Sequence, residues 1–525
     1  MALYHLLQPT TIAFSILILT TIFIIFSWKS KQRRRLNLPP SPPSLPFIGH
    51  LHLLKQPLHR TLQTLSTKYG PIFSLTLGVR NVLVVSSPSL VEECLNKNDV
   101  VFANRPHSFL GWKILGYNYT AIGSAPYGPH WRNLRRLSTV ELLSTARLNS
   151  SLHVRHDEVN RLVSGLAEEV GWSGRFGRKV EMKSRLVGLS MNIVMRMVAG
   201  KRYFGGGEGK KEGREEGERF KELIREVFEL SGTSNPVDFL PVLKWVDFSG
   251  LEKRMWRAHE EMDAFFQGLI DEHRRERRED DDVASMTTRK TMIDTMLSLQ
   301  ESEPETYSND IIKGQVMSLI LAGTDTSTAT VEWAMSLLLN HPEILDKARA
   351  EIDNVIGNSR LVHEDDYTNL PYLQGIINEA LRLYPVGPLL IPHQSSEECT
   401  IGGYSIAKET MLFVNAWTIH RDPTIWEDPT RFWPERHLEA ELDSYKLLPF
   451  GVGRRSCPGS GLANRVVSVT LGALIQCFEW ERVGVALLDM TEGPGLTMPK
   501  LEPMQAFCKP RELMKDVFNT IQGGI

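Results

Sequence analysis

Residues 450–459 read FGVGRRSCPG and stand directly before Leu462–Phe478, an apolar run with helical spacing. Cys457 therefore lies just ahead of a predicted helix N-terminus, where backbone N–H groups and the helix dipole favour an anionic sulfur. The three glycines of the stretch remove side chains where a flat ligand would have to approach the backbone. Arg455 can reach an anionic group on such a ligand. Together these features predict a haem whose iron takes the sulfur of Cys457 as its axial ligand.

A second informative stretch, AGTDTS, occupies residues 322–327 of the clearest predicted helix, Ile311–Leu339. Ser308 or Asn309 is its candidate N-cap, and Pro342 stands just past its end. This helix is apolar nearly all round, so it is expected to run through the middle of the protein. Threonine is a poor residue in mid-helix unless its hydroxyl bonds back to a carbonyl four residues earlier, and the residues alone favour that structural reading. Asp325 is an acid in an apolar segment, so its pKa is expected to be perturbed.

Strand signals are few. β-Forming residues cluster at Ile72–Leu77 and Val82–Ser86 around a turn, and short apolar runs recur at Tyr404–Ile406 and Met411–Val414. Most of the remaining sequence carries helical spacing, so the predicted fold is mainly α with small β-sheets.

The motif that contains Cys457 is more specific than a lone cysteine, which is usually a small buried apolar residue. It matches the pattern Phe-x-x-Gly-x-Arg-x-Cys-x-Gly at all five fixed positions: Phe450, Gly453, Arg455, Cys457 and Gly459. Here the sequence resembles the cytochrome P450 family, the haem-thiolate monooxygenases, over nearly the whole chain. The resemblance implies the cytochrome P450 fold, haem b as the cofactor and O2 as a substrate. It also implies that Thr326 holds the oxygen molecule with its water and that Asp325 feeds protons to them.

The resemblance extends to residues that would hold the haem propionates. Trp131 and Arg135 are spaced i, i+4, so they share one helix face and would both reach a propionate. His393 occupies a position where plant members use histidine for the same purpose, and Arg455 completes the set.

A charged network is also implied by the resemblance. Glu379 and Arg382 lie one helical turn apart, and Arg436 follows downstream. In the family, these three residues form a buried network behind the loop that carries the haem ligand. The chain has His437 where the family usually has Phe, which puts the local packing of that turn in doubt.

The N-terminus predicts a membrane anchor. Residues 11–28 read TIAFSILILTTIFIIFSW, without a formal charge, and five basic residues follow between positions 29 and 35. This length and charge order predict an uncleaved transmembrane helix with the rest of the chain in the cytosol, and argue against a cleaved signal peptide. We therefore expect an anchor over 1–28, a basic and Pro-rich connector over 29–49 and a catalytic domain over 50–525. The resemblance places such a single-pass chain in the endoplasmic reticulum membrane.

Composition excludes several classes of protein. The 525 residues are 42% hydrophobic and 23% charged with a formal net charge of −2, an ordinary globular composition that gives no reason to expect a nucleic-acid partner. Five scattered cysteines without a Cys-x-x-Cys pair argue against a disulfide framework and a zinc site of the usual spacing.

The sequence lacks a dinucleotide or flavin fingerprint. Since oxygen activation needs electrons, the resemblance implies a separate NADPH–cytochrome reductase as partner. Arg132, Arg136, Lys446 and Arg454 are candidate cationic contacts for it, although each is equally compatible with plain surface charge.

The substrate pocket is expected to be apolar. By resemblance its wall draws on four stretches: Phe109–Tyr119, Ile320–Thr324, Val386–Leu390 and Leu496–Met498. The segments PHQSSEECTIGGY and NAWTIHRDP resemble those of plant A-type members. The resemblance is greatest to the subfamily that hydroxylates flavonoids and isoflavonoids or closes methylenedioxy bridges on lignans. Terpenoid oxidation stays open. Two rivals are a haem-dependent isomerase or dehydratase without O2, against which Thr326 argues, and a non-catalytic haem binder.

Overall fold

The computed structural model describes residues 37–524, except 108, 173–176, 205–210, 234, 246–249, 280–290 and 439–442. The predicted membrane anchor and the whole basic run over positions 29–35 lie outside these residues. Within the described stretches, no helix combines the length and the apolar composition that crossing a membrane requires.

Helices dominate the described chain. In chain order the α-helices are α1 Leu58–Tyr69, α2 Pro88–Glu92, α3 Leu110–Ile114, α4 Pro129–Arg136, α5 Thr145–Ser150, α6 Leu152–Val170, α7 Lys183–Ala199, α8 Lys211–Gly232, α9 Pro236–Phe239, α10 Leu251–Glu279, α11 Met292–Ser302, α12 Asn309–Asn340, α13 Pro342–Val355, α14 Pro371–Leu383, α15 Ala416–Ile419, α16 Ser460–Cys477 and α17 Lys515–Gly524. Short 3-10 turns include Pro241–Trp245 and Pro434–His437.

The strands form small sheets at the edges of the helical body. They are β1 Ile72–Leu77, β2 Arg80–Val85, β3 Arg178–Glu181, β4 His393–Gln394, β5 Cys399–Ile401, β6 Tyr404–Ile406, β7 Met411–Val414, β8 Phe478–Arg482 and β9 Gln505–Pro510. One sheet has the order β1-β2-β7-β4, a second β3-β9-β8, and β5 pairs with β6. β2 and β7 pair in parallel, and the other pairs are antiparallel. The mainly helical fold with small sheets is thus confirmed.

The long central helix is confirmed, but it covers Asn309–Asn340 and is thus slightly longer than the predicted Ile311–Leu339. Ser308 caps α12 by accepting a hydrogen bond from the backbone N–H of Ile311, and the helix ends before Pro342. Its C-terminal half is buried on all sides, and it packs against α7, α14 and α16. α12 therefore runs through the core in contact with α16, the helix that follows Cys457.

Two other elements also differ from their predicted boundaries. α16 begins at Ser460 and ends at Cys477, because Phe478 turns to extended backbone and opens β8. β2 covers Arg80–Val85, since Arg80 pairs with Leu77 directly across the turn. Neither shift moves a residue of the predicted site.

The Pro-rich segment is packed along the first sheet. The carbonyl of Pro40 accepts a hydrogen bond from the backbone N–H of Ser74 at 2.7 Å, and the carbonyl of Pro42 bonds to the buried ring of His50 at 2.9 Å. These contacts hold the Pro-rich segment from residue 39 against the catalytic body.

Candidate active site

The loop over residues 450–459 is shaped by its glycines. Gly451 and Gly453 have φ of 64° and 73°, which side chains with a Cβ rarely adopt. A Cβ on Gly453 would also lie 2.3 Å from the backbone oxygen of Leu95. The backbone N–H of Cys457 donates to the carbonyl of Phe450 at 2.8 Å, so the loop closes on itself and presents the cysteine.

The sulfur of Cys457 is exposed at the end of this loop, and two opposing effects act on its charge. Burial among protein atoms raises the pKa of the thiol, whereas the backbone N–H groups of Gly459 and Ser460 and the charge of Arg135 lower it. The helix N-terminus thus acts in the predicted direction, but desolvation outweighs it. A bound metal would supply the remainder, because a coordinating thiol is deprotonated outright.

Cationic side chains surround the loop. The guanidinium of Arg455 donates to the carbonyls of Ala103 at 2.7 Å and Ala125 at 2.6 Å and lies 4.2 Å from the ring centre of Trp131. Arg135 donates to the carbonyl and the hydroxyl of Ser456. The predicted set of Arg455, Trp131 and Arg135 is therefore brought together beside Cys457.

His393 joins this set from β4. Its Nδ1 lies 2.8 Å from the carbonyl oxygen of Phe102, and its ring is buried. Burial and the charges of Arg105 and Arg455 hold the pKa of His393 well below its usual range. Without a bound anion the imidazole is therefore neutral, and its single N–H, on Nδ1, donates to the carbonyl of Phe102. A propionate beside Nε2 would favour the protonated ring, which donates from both nitrogens.

Arg105 is a member of the cluster that the sequence did not reveal. It is buried and donates to the carbonyls of Ile391 and Pro392, each at 2.8 Å, while its Nε–H has no partner. An arginine before a proline in a polar loop carries no local signal of this role. Only the folded chain brings positions 105 and 393 together.

The charge of this cluster is unbalanced. Burial lowers the pKa of Arg105 to about 9 and that of Arg455 to about 8, and no ion pair of the described residues includes Arg105, Arg135 or Arg455. The indole N–H of Trp131 is buried without a hydrogen-bond partner. Three partly or fully buried guanidinium groups and an orphaned donor need an anion. The propionates of a haem whose iron is bound by Cys457 would provide it, so the residues fit this cofactor.

The second part of the candidate site is the middle of α12. The hydroxyl of Thr326 donates to the carbonyl of Ala322 at 2.6 Å, which is the back-bonding expected of a mid-helix threonine. The hydroxyl keeps its lone pairs as acceptors in this arrangement. Burial raises the pKa of Asp325, the preceding residue, and its carboxyl group accepts a hydrogen bond from the hydroxyl of Thr497.

The four stretches predicted for the pocket wall are joined by contacts. The backbone N–H of Met498 donates to the carbonyl of Val386 at 2.9 Å, and Leu389 packs in the same apolar cluster as Phe109. The bond from Thr497 to Asp325 links the last stretch to α12. The wall segments therefore lie around one region, on the α12 side of the Cys457 loop.

The charged network behind the loop is present. Glu379 and Arg382 are fully buried, and the guanidinium of Arg382 donates two hydrogen bonds to the carboxylate of Glu379, each at 2.8 Å. The Nε of Arg436 lies 3.1 Å from the same carboxylate. His437 does not disturb the packing of this turn. Its side chain is buried, and its Nε2 lies 2.8 Å from the carboxylate of Glu379. The histidine is thus a fourth member.

The network reaches the Cys457 loop through His420. The Nδ1 of His420 lies 3.2 Å from the carbonyl of Arg382, and its Nε2 accepts the backbone N–H of Leu448 at 2.8 Å. Burial and nearby arginines lower the pKa of His420 to about 3, which keeps the ring neutral and able to accept. Leu448 stands two residues before Phe450, so the network fixes the root of the loop.

Comparison with known proteins agrees with this fold. The sequence profile of the cytochrome P450 family matches residues 39–507. A solved zebra fish cytochrome P450 with progesterone superposes with a TM-score of 0.74 at 25% identity, covering 87% of this chain and 100% of that one.

Plant relatives match almost end to end. Cytochrome P450 81Q32 of Catharanthus roseus is 55% identical, covering 97% of this chain and 99% of its own. Isoflavone 3'-hydroxylase of Medicago truncatula is 52% identical with coverage of 93% and 96%, and (+)-piperitol/(+)-sesamin synthase CYP81Q2 of Sesamum radiatum is 48% identical with coverage of 97% and 98%. The chain therefore belongs to the cytochrome P450 family: it is a haem-thiolate monooxygenase of the plant group that includes isoflavone hydroxylases.

Proposed function

We propose that this enzyme is an NADPH- and O2-dependent monooxygenase that hydroxylates, or oxidatively bridges, a flavonoid, isoflavonoid or lignan. The observation that carries the proposal is that α12, which bears Asp325 and Thr326, packs against α16, the helix that Cys457 precedes. The names of the relatives, an isoflavone hydroxylase and a (+)-piperitol/(+)-sesamin synthase, support phenolic substrates and both kinds of product.

The residues divide into a haem-holding set and a proton-handling pair. Cys457 ligates the iron, and Arg455, Trp131, Arg135 and His393 hold the propionates. The bound haem supplies the iron that activates O2. Thr326 holds the oxygen molecule and a water by hydrogen bonds, and Asp325 delivers protons to that water.

Electrons come from an NADPH–cytochrome reductase that docks on the Cys457 side. Arg132 and Arg136 are exposed on α4, next to Trp131 and Arg135, and suit an acidic partner. Lys446 and Arg454 are also exposed, but Arg454 pairs with Asp99 at 2.9 Å, so its charge is partly compensated. We expect α4 to contribute more to docking.

The protein is anchored in the endoplasmic reticulum membrane through residues 11–28, with the catalytic domain in the cytosol. Support comes from exposed apolar side chains on one side of the body. Phe47, Val79 and Trp245 are 92%, 62% and 90% exposed. Backbone hydrogen bonds from Gly78 to Ile48 and from Val79 to Phe239 bring the segments that carry these side chains together. Such a patch beside the end of the connector suits a lipid surface.

Product identification tests the proposal. The full-length enzyme in microsomes with a plant reductase is given NADPH and a panel of isoflavones, flavones, lignans and terpenoids, and products are read by mass spectrometry. We expect a gain of one oxygen, or loss of two hydrogens for a bridge, on a phenolic substrate. Conversion of terpenoids alone would overturn the substrate class, and conversion without NADPH would overturn the electron source.

Thr326→Ala is expected to separate electron use from product formation. Without the hydroxyl, the oxygen molecule and its water are poorly held, so NADPH oxidation continues while product falls about tenfold to a hundredfold and peroxide rises. Product and peroxide per NADPH are the measurements. Thr330→Ala is the matched control, since Thr330 back-bonds to the carbonyl of Thr326 in the same way at 2.8 Å. Unchanged coupling in Thr326→Ala would contradict the role of this hydroxyl.

Trp131→Phe is expected to weaken haem retention. The indole N–H has no protein partner, and a hydrogen bond to a charged group contributes about 1.5–3 kcal/mol, so haem loss should accelerate roughly tenfold or more. Transfer of haem to an acceptor apoprotein gives the rate. Trp480→Phe is the control, because its indole N–H already donates to the carbonyl of Leu474 at 2.8 Å. Equal rates in the two variants would argue against a propionate contact.

A further inference from the structure

Asp325 has a partner outside its own helix. Its Oδ2 accepts a hydrogen bond from the hydroxyl of Thr497, which lies on the loop between β8 and β9. Burial raises the pKa of Asp325, while the Thr497 bond and the charge of Lys183 on α7 lower it. The orientation of this acid is therefore set by a residue 172 positions away.

The loop that carries Thr497 is firmly held at the next residue. The carbonyl of Met498 accepts the indole N–H of Trp333 on α12 at 2.8 Å, and its N–H donates to Val386 at 2.9 Å. Trp333 and Met498 are buried, and the ammonium of Lys500 lies 4.8 Å from the centre of the Trp333 ring. Thr497 thus has a fixed position relative to α12.

The same loop touches another helix on its other side. A Cβ on Gly232, the last residue of α8, would lie 2.5 Å from the backbone nitrogen of Leu496. Leu496 is exposed and Met498 is buried, so the three consecutive residues face different surroundings. The middle residue, Thr497, is the one that turns toward the acid.

We propose that Thr497 is a positioning residue that holds the Asp325 carboxyl in the orientation needed to deliver protons toward Thr326. This inference rests on the proposed role of Asp325 in the monooxygenase. It makes the pocket-wall loop part of the proton path, because a displacement of residues 496–498 would release the acid. Thr497 acts through Asp325 and does not itself exchange protons with O2.

The bond has two effects on the carboxyl group. A hydroxyl that donates to a carboxylate favours the charged form, so its loss raises the pKa of an acid that burial already raises. The carboxyl also loses the contact that restricts its rotation. In Thr497→Val, a change that keeps the shape of the side chain, the acid should retain its proton to higher pH and face the water less often.

Infrared spectroscopy of the substrate-free ferric holoenzyme measures the first effect. The carbonyl band of protonated Asp325 is identified by its loss in Asp325→Asn and is titrated with pH. We expect the midpoint to rise by about one pH unit in Thr497→Val. It should return to the wild-type value in Thr497→Ser, which restores the donor. Thr497→Ala is the second variant should the valine protein not fold.

A matched control lies in the same loop. The hydroxyl of Thr491 donates to the carboxylate of Asp489 at 2.6 Å on the exposed surface, so Thr491→Val removes the same kind of bond away from α12. Its carbonyl titration should equal that of the wild type. In turnover, Thr497→Val should raise peroxide per NADPH several-fold with KM nearly unchanged, and its pH profile should shift in the direction of the infrared midpoint.

Three outcomes would overturn the proposal. An unchanged midpoint in Thr497→Val would show that the bond does not govern Asp325, and a band that is absent from the wild type at every pH would show that the acid is not protonated. A large change in KM with unchanged coupling would make Thr497 a substrate contact only. The titration needs no substrate, so it is read independently of whether the proposed substrate class is correct.

Discussion

Cys457→Ser is expected to abolish product formation while leaving the protein folded. The hydroxyl of serine has a far higher pKa than a thiol, so neither the N–H groups of Gly459 and Ser460 nor Arg135 can hold it as an anion. Without an anionic sulfur, the iron loses the electron donation that favours O–O cleavage. Monooxygenation should therefore be lost completely, down to the background of the assay, and should not be merely reduced.

The folded state should hardly change, because the side chain of Cys457 is exposed and belongs to no apolar cluster of the described core. Cys399→Ser is the matched control: Cys399 is half-buried in β5, and its replacement should leave turnover within about twofold of the wild type. Thermal unfolding of both variants by circular dichroism shows whether they fold. Turnover of the phenolic product by Cys457→Ser would contradict the assigned ligand.

Glu379→Gln is expected to cost about 3–5 kcal/mol of unfolding free energy, the largest stability effect in the described chain that we predict. Glu379 is the single carboxylate among Arg382, Arg436 and His437, and all four side chains are almost fully buried. Glutamine keeps the shape but removes the negative charge, so buried guanidinium groups remain without a counterion. Denaturant unfolding of the holoprotein is the measurement.

An exposed pair provides the control for this prediction. Asp346 lies 2.8 Å from Arg349 with 70% of its side chain exposed, so Asp346→Asn should change the unfolding free energy by less than about 1 kcal/mol. Equal stability of the two variants would contradict the network. The start of the Cys457 loop should become less well held too, since the carbonyl of Arg382 bonds to the ring of His420, and that ring accepts the backbone N–H of Leu448. Glu379→Gln should accordingly lose haem faster than Asp346→Asn.

The network also gives stability a pH dependence. The pKa of Glu379 is lowered from its usual 4.5 to about 2, so its contribution is present above pH 4.5 and is lost as the pH falls toward 2. The unfolded chain protonates His420 near pH 6.5, whereas the folded chain resists protonation to about 3, which also favours unfolding in acid. Unfolding should therefore become easier below about pH 6.5, and more steeply below 4.5.

Much of the fold followed from local patterns. The cap at Ser308, the apolar run of α12 and Pro342 set both ends of the central helix, and each signal lies within a few residues of the boundary it fixes. The strands β6 and β7 follow their apolar runs for the same reason. At Cys477 the pattern failed, because Phe478 continues the apolar run while pairing with Pro510 in a sheet that the local sequence does not show.

The site was predicted where motifs are contiguous. Cys457 and Arg455 share one loop, and Trp131 and Arg135 share one helix face. The roles of Arg105 and Thr497 were not predicted, because they come from contacts with residues 286 and 172 positions away, Ile391 and Asp325. His437 did carry a signal, since it replaces the usual Phe, but only the folded chain shows that its ring turns toward Glu379.

The visible spectrum of the dithionite-reduced, carbon-monoxide-bound enzyme tests the central claim, which is ligation of haem iron by the sulfur of Cys457, most directly. We expect the red-shifted Soret band that a thiolate ligand gives to a ferrous carbonyl haem. The band should be present in the wild type and in Cys399→Ser and absent from Cys457→Ser. A wild-type protein that binds haem but shows the unshifted band of a nitrogen-ligated iron would contradict it. The same band persisting in Cys457→Ser would contradict it equally.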